Sequence, residues 1–117
     1  MNHIDDDILI DLILNGDHKL FEKLVERHQS YAFTIALNVL KNKEDAEEAA
    51  HDSFLKAYKN LSKFNKEAKF STWLYRIVFN TAVTYQRKKK VIKVDLTAVE
   101  HNYSQDEKSK VEASDQK

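Results

Sequence analysis

With 117 residues, the chain is long enough for one domain with a real core and too short for two. It lacks cysteine, which excludes a disulfide framework and any thiolate metal site, and no apolar run approaches the roughly 20 residues of a membrane span. A formal net charge of zero conceals an uneven distribution: residues 1–17 carry five Asp and no Lys or Arg, residues 18–93 carry 16 Lys and Arg against 8 acids, and residues 94–117 carry 3 Lys against 6 acids.

The central stretch is basic enough to favour an anionic partner such as nucleic acid, with a solvated lysine-rich surface as the plainer reading. The acidic start is the opposite of a secretion signal, so a soluble, cytoplasmic protein without membrane insertion is expected.

There is no proline, one glycine, and no sustained period-two alternation. The pattern predicts an all-α fold, a compact bundle of four helices (residues 1–93) followed by a flexible tail or interdomain linker (residues 94–117). Helix one is expected from about Ile4 to Asn15, with Asp5, Asp6 and Asp7 at its positive end. Asn15-Gly16-Asp17 then supplies a C-terminal glycine and an N-cap for helix two, expected from His18 to Leu40, with His28 as a core or boundary residue. After a short turn at Lys41-Asn42-Lys43, helix three runs from about Glu44 to Leu61, with Ala46, Ala50, Ser53, Phe54, Ala57, Tyr58 and Leu61 inward. Ser62–Lys69 is a polar connection. Helix four follows to about Lys90, with Phe70, Trp73, Leu74, Ile77, Val78, Thr81, Ala82 and Tyr85 on its apolar stripe. The stretch from Val91 to Leu96 is ambiguous, and charge dominates beyond it.

Three surfaces ask for partners. On helix three, Asp45, Glu48 and Asp52 fall within about 60° of one another, bordered by Lys56 and by Leu55, which points away from the core stripe. An apolar residue beside an acid row suits a basic protein surface, although most such rows are simply solvated. The loop interleaves Lys63, Lys66 and Lys69 with Phe64 and Asn65: cations for phosphates, and Asn65 with a pocket near Phe64 for an unstacked base. At least one of Phe64 and Phe70 should fold inward. On helix four, Arg76, Asn80, Val83 and Arg87 share a flank outside the apolar stripe and lead into the basic end that includes Lys88. The five histidines show no i, i+4 pairing, and neither a glycine-rich phosphate loop nor a nucleophile–base pair is present, so no metal, cofactor or catalysis is expected.

The blocks Asp45–Tyr58, Phe64 and Thr72–Ile77 with Asn80 resemble, in order and spacing, the second conserved region of bacterial extracytoplasmic-function (ECF) sigma factors. The likeness covers about residues 5–90. It implies a helical bundle whose helix-three face (Asp45, Glu48, Asp52, Leu55) docks on the β′ clamp helices of core RNA polymerase. It implies that the loop holds a flipped base of the minus-ten promoter element, and that Arg76, Asn80, Val83, Arg87 and Lys88 track the upstream duplex. An anti-sigma factor is an expected competitor for the polymerase-binding face.

Three departures stand out. His51-Asp52 replaces the family's usual Gln-Glu, and the loop lacks the common Gly or Pro. The chain also stops soon after Val94, where a promoter-reading helix-turn-helix domain normally follows, so an excised or naturally short form is expected. Trp73-Leu74 stands where housekeeping sigma factors have paired tryptophans, implying weaker DNA melting. The rival reading is a helical protein–protein adaptor without DNA readout.

Overall fold

The computed structural model describes the backbone of residues 4–100 and the side chains of residues 4–92. Within them lie four α-helices: α1 (Asp6–Leu14), α2 (Phe21–Leu40), α3 (Lys43–Lys59) and α4 (Phe70–Glu100), with 3-10 turns at His18–Leu20 and Leu61–Lys63.

Local chemistry sets the joints. At the end of α1, Gly16 adopts φ +120°, its N–H reaches the Ile13 carbonyl, and the Asp17 N–H reaches the Leu12 carbonyl, both at 3.0 Å. This paired bonding closes a helix on a glycine in a conformation other residues rarely adopt. The α2–α3 turn is tighter. Lys41 takes a left-handed φ of 57°, and the Asn42 side chain caps α3 by accepting the Asp45 N–H at 2.9 Å.

The core forms where α2, α3 and α4 pack on one another, closed at one end by Leu9, Ile10 and Ile13 of α1. The inner face of α3 is built of small residues, Ala46, Ala49, Ala50, Ser53 and Ala57, which lets its neighbours approach closely. Ser53 satisfies its hydroxyl by donating to the Ala49 carbonyl at 2.7 Å, and Thr81 does the same with the Ile77 carbonyl. Asp6 ties α1 to α2 by accepting from Arg27 at 3.0 Å and meeting His28 Nε2 at 2.8 Å.

The structure differs from the sequence reading in several places. Ala36 and Ala49 are fully buried, although neither stood out as inward. Tyr58 is 41 % exposed, lying edge-on to Phe21 and His18 instead of entering the core. Helix four does not stop near Lys90. With no Gly or Pro to break it, α4 continues through the ambiguous Val91–Leu96 stretch, and past the expected 93/94 boundary, to Glu100. Of the tail expected over residues 94–117, residues 101–117 lie outside the described residues.

Candidate polymerase and nucleic-acid interface

Of the five α3 residues expected on an outer face, Glu48, Leu55 and Lys56 are exposed, Leu55 at 48 %, while Asp45 and Asp52 are half-buried. Asp45, Asp52 and Lys56 turn toward α4, because α4 crosses α3 along that flank. A ladder of three contacts forms there. Lys89 Nζ pairs with Asp45 Oδ2 at 2.5 Å, the Tyr85 hydroxyl donates to Asp52 Oδ2 at 2.8 Å, and Lys56 Nζ donates to Thr81 Oγ1 at 3.1 Å. Burial, the Asp52 hydrogen bond and charge, and the further charges of Glu48 and Asp45 push the Tyr85 phenol up to about 12.

The outward row of α3 is therefore Glu44, Glu48, His51 and Leu55, with Glu47 beside it. The sequence pattern alone does not single out Glu44 and Glu47 for this face, and marks His51 only as a departure from the family. Glu44 shares the helical phase of Leu55 three turns earlier, and Glu47 borders that row. Glu47 and His51 also edge a groove of about 350 Å³ between α2 and α3, floored by Val25, Phe33 and Phe54.

The loop from Ser62 to Lys69 rests on an aromatic cluster. Phe64 and Phe70 are both buried, with centroids 5.9 Å apart in an edge contact, and each packs on Trp73 at 5.2 and 5.8 Å. Phe64, expected beside a base, has only 7 % of its surface exposed. It lies beneath the loop, pinning the chain as Phe70 does six residues later, so both rings fold inward where at least one was expected to. Above it Lys63, Asn65 and Lys69 are exposed. The Asn65 side-chain oxygen Oδ1 accepts the Glu67 N–H at 3.0 Å. Between them Lys66 has φ +65°, a left-handed conformation that costs a non-glycine residue roughly 1–2 kcal/mol, and its ammonium pairs with Asp11 of α1 at 2.5 Å. Lys66 thus makes an ion pair within the protein while remaining exposed.

On α4, Arg76 and Asn80 are exposed, Val83 and Arg87 half-buried, and Lys88 exposed. Lys69 lies in the same helical phase, so the stripe from Lys69 to Arg87 runs straight along the helix for about 27 Å. Tyr75 and Phe79 stack beside it, centroids 5.9 Å apart and planes 17° from parallel, each about two-fifths exposed.

The sigma-70 region 2 family matches residues 24–91, from within α2 to the exposed part of α4. The chain belongs to that family. It is 36 % identical over 78 residues to the ECF RNA polymerase sigma factor SigW of Bacillus subtilis, covering 67 % of this chain and 42 % of SigW. Identity is also 36 % over 80 residues to the ECF RNA polymerase sigma-E factor of Haemophilus influenzae, covering 68 % of this chain and 42 % of that protein. These relatives put this sigma region 2 domain in the ECF branch, and the chain spans about two-fifths of their length. An NMR structure of an engineered region 2 of sigmaE in complex with GTAAAA shares its fold at a TM-score of 0.68 and 36 % identity, covering 74 % of this chain and 90 % of that one. Among the described residues, no helix is long and apolar enough to cross a membrane.

Proposed function

We propose that this sigma region 2 domain acts in transcription initiation without catalysis of its own, docking on core RNA polymerase and reading the minus-ten element of a promoter. The observation that carries the reading is the likeness to a region 2 structure described in complex with GTAAAA, at an identity well above a shared fold alone. The surface chemistry supports it. Exposed cations, Lys63 and Lys69 on the loop and Arg76 and Lys88 on α4, offer phosphate contacts, and the exposed amides of Asn65 and Asn80 suit base edges.

The polymerase contact is assigned to the outward row of α3, with Glu48 as its charge and Leu55 as its apolar anchor, facing the β′ clamp helices. Asp45, Asp52 and Lys56 serve that face from the seam behind it. An anti-sigma factor would compete for the same row in the cytoplasm.

Calorimetric titration against isolated β′ clamp helices tests the docking half. Micromolar or tighter binding is expected, with at least a tenfold loss for Glu48→Lys, which sets like charge against a basic groove. Undiminished binding by Glu48→Lys would remove α3 from the interface. Titration with GTAAAA at two salt concentrations tests the other half: affinity should fall steeply with salt and exceed that for a scrambled hexamer.

A further inference from the structure

The loop between Phe64 and Phe70 spans only residues 65–69, and both flanking rings are buried, so its ends are fixed while its middle is not. That middle holds no glycine or proline, yet Lys66 sits at φ +65°. A lysine left to itself returns to the right-handed or extended region, so neighbouring contacts must keep it there. Two are present. The Asn65 side chain spans Lys66 to accept the Glu67 N–H, a local tie. The other is the pair from Lys66 Nζ to Asp11, 55 residues away in sequence. Asp11 is well placed to act as an anchor, because α1 is held by buried Leu9, Ile10 and Ile13 and by the Asp6 bonds to Arg27 and His28. It also lies outside the span matched by the sigma-70 region 2 family, whereas Lys66 lies within it.

We propose that Asp11 is a positioning residue for base recognition: its ion pair with Lys66 holds the loop in its left-handed turn, so that α1 tunes the specificity of a loop it does not belong to. This rests on the nucleic-acid reading above. Lys66 then acts on the shape of the loop, with its charge already answered by Asp11. The sign of the effect separates this from the simpler electrostatic role. If Lys66 were a phosphate ligand, Asp11 would compete with DNA, and removing its charge would strengthen binding to every sequence.

The test uses the full 117-residue chain. Single-stranded GTAAAA and a scrambled hexamer of the same composition are titrated against the parent, Asp11→Asn, and the charge swap Asp11→Lys with Lys66→Asp. Aspartate tolerates the left-handed conformation, so the swap rebuilds the tie with reversed polarity. Asp11→Asn should lower the preference for GTAAAA about three- to five-fold, the scale of an exposed ion pair, with the salt dependence and thermal unfolding nearly unchanged. The swap should recover most of that preference. A gain in affinity for both hexamers with a steeper salt dependence in Asp11→Asn, or a swap no better than Asp11→Asn, would overturn the proposal.

Amide hydrogen exchange of residues 65–69 without DNA keeps the two readings apart. Asp11→Asn should speed exchange there several-fold, and an unchanged rate would overturn the tether. A parent chain with no preference between the hexamers would count against the nucleic-acid reading alone, leaving exchange to decide on Asp11.

Discussion

Replacing Tyr85 with Phe removes one hydroxyl from the α3–α4 seam and leaves the ring in place. The lost contact is a hydrogen bond of 2.8 Å to the Asp52 carboxylate, worth about 1 kcal/mol at a half-buried site. The phenol is raised from 10 to about 12, first by burial and then by Asp52, which as a full shift would correspond to about 2.7 kcal/mol. Solvent screening at this seam reduces that to about 1–2 kcal/mol. The folded-state value lies above the unfolded one, so this stability is fully present below pH 10 and is lost as pH rises from 10 through 12. Phe cannot titrate. Tyr85→Phe should therefore be about 1 kcal/mol less stable than the parent at pH 8, with the gap closing and then reversing toward pH 12. Urea unfolding followed by the fluorescence of Trp73, the single tryptophan, measures both chains at each pH. Taking the difference cancels the lysines and the other four tyrosines that they share. A gap that stays constant from pH 8 to 12 would refute the linkage between Tyr85 and the acids of α3.

Phe64→Ala should cost about 3 kcal/mol, because it empties a buried ring site against Phe70 and Trp73. The urea midpoint should fall and Trp73 emission shift to the red; an unchanged midpoint would mean the loop does not depend on its floor. Asn80→Ala should cost about 1–3 kcal/mol of discrimination between the preferred and scrambled hexamers, leaving nonspecific binding nearly intact. An equal loss on both sequences would deny Asn80 a reading role.

The helices themselves were legible, because each is long, amphipathic and bounded by a recognisable joint. Gly16 announced one of those joints by residue type alone, and the Asn42 cap emerged only in the structure. What a helical wheel does not contain is the neighbour. Asp45, Glu48 and Asp52 share a face in the sequence, and only the path of α4 separates Glu48, in water, from two acids paired in the seam. Phe64 posed the same difficulty, since a ring among lysines suits a base as well as a floor, and only packing puts it against Phe70 and Trp73. The left-handed turn at Lys66 had no signal, because only glycine, and occasionally asparagine or aspartate, adopts that conformation routinely. Ala36 and Ala49 escaped notice for a different reason. A small side chain contributes little to an apolar stripe, yet lets two helices close on each other.

Because α4 buries Leu74, Val78 and Ala82 while carrying Arg76 and Asn80 on its outer side, its interior and exterior are locked in phase. A one-residue insertion within it would swing every later side chain by about 100° and advance it about 1.5 Å, so either the core or the outer stripe must be forfeited. The loop before Phe70 carries no such constraint, since a residue gained or lost there need not rotate the helix. Divergence among domains built this way should therefore follow two separate grammars: changes of length and composition in the loop, and changes of letter at fixed spacing on the helix. An engineer seeking a new recognition sequence would graft loops whole and substitute α4 one position at a time.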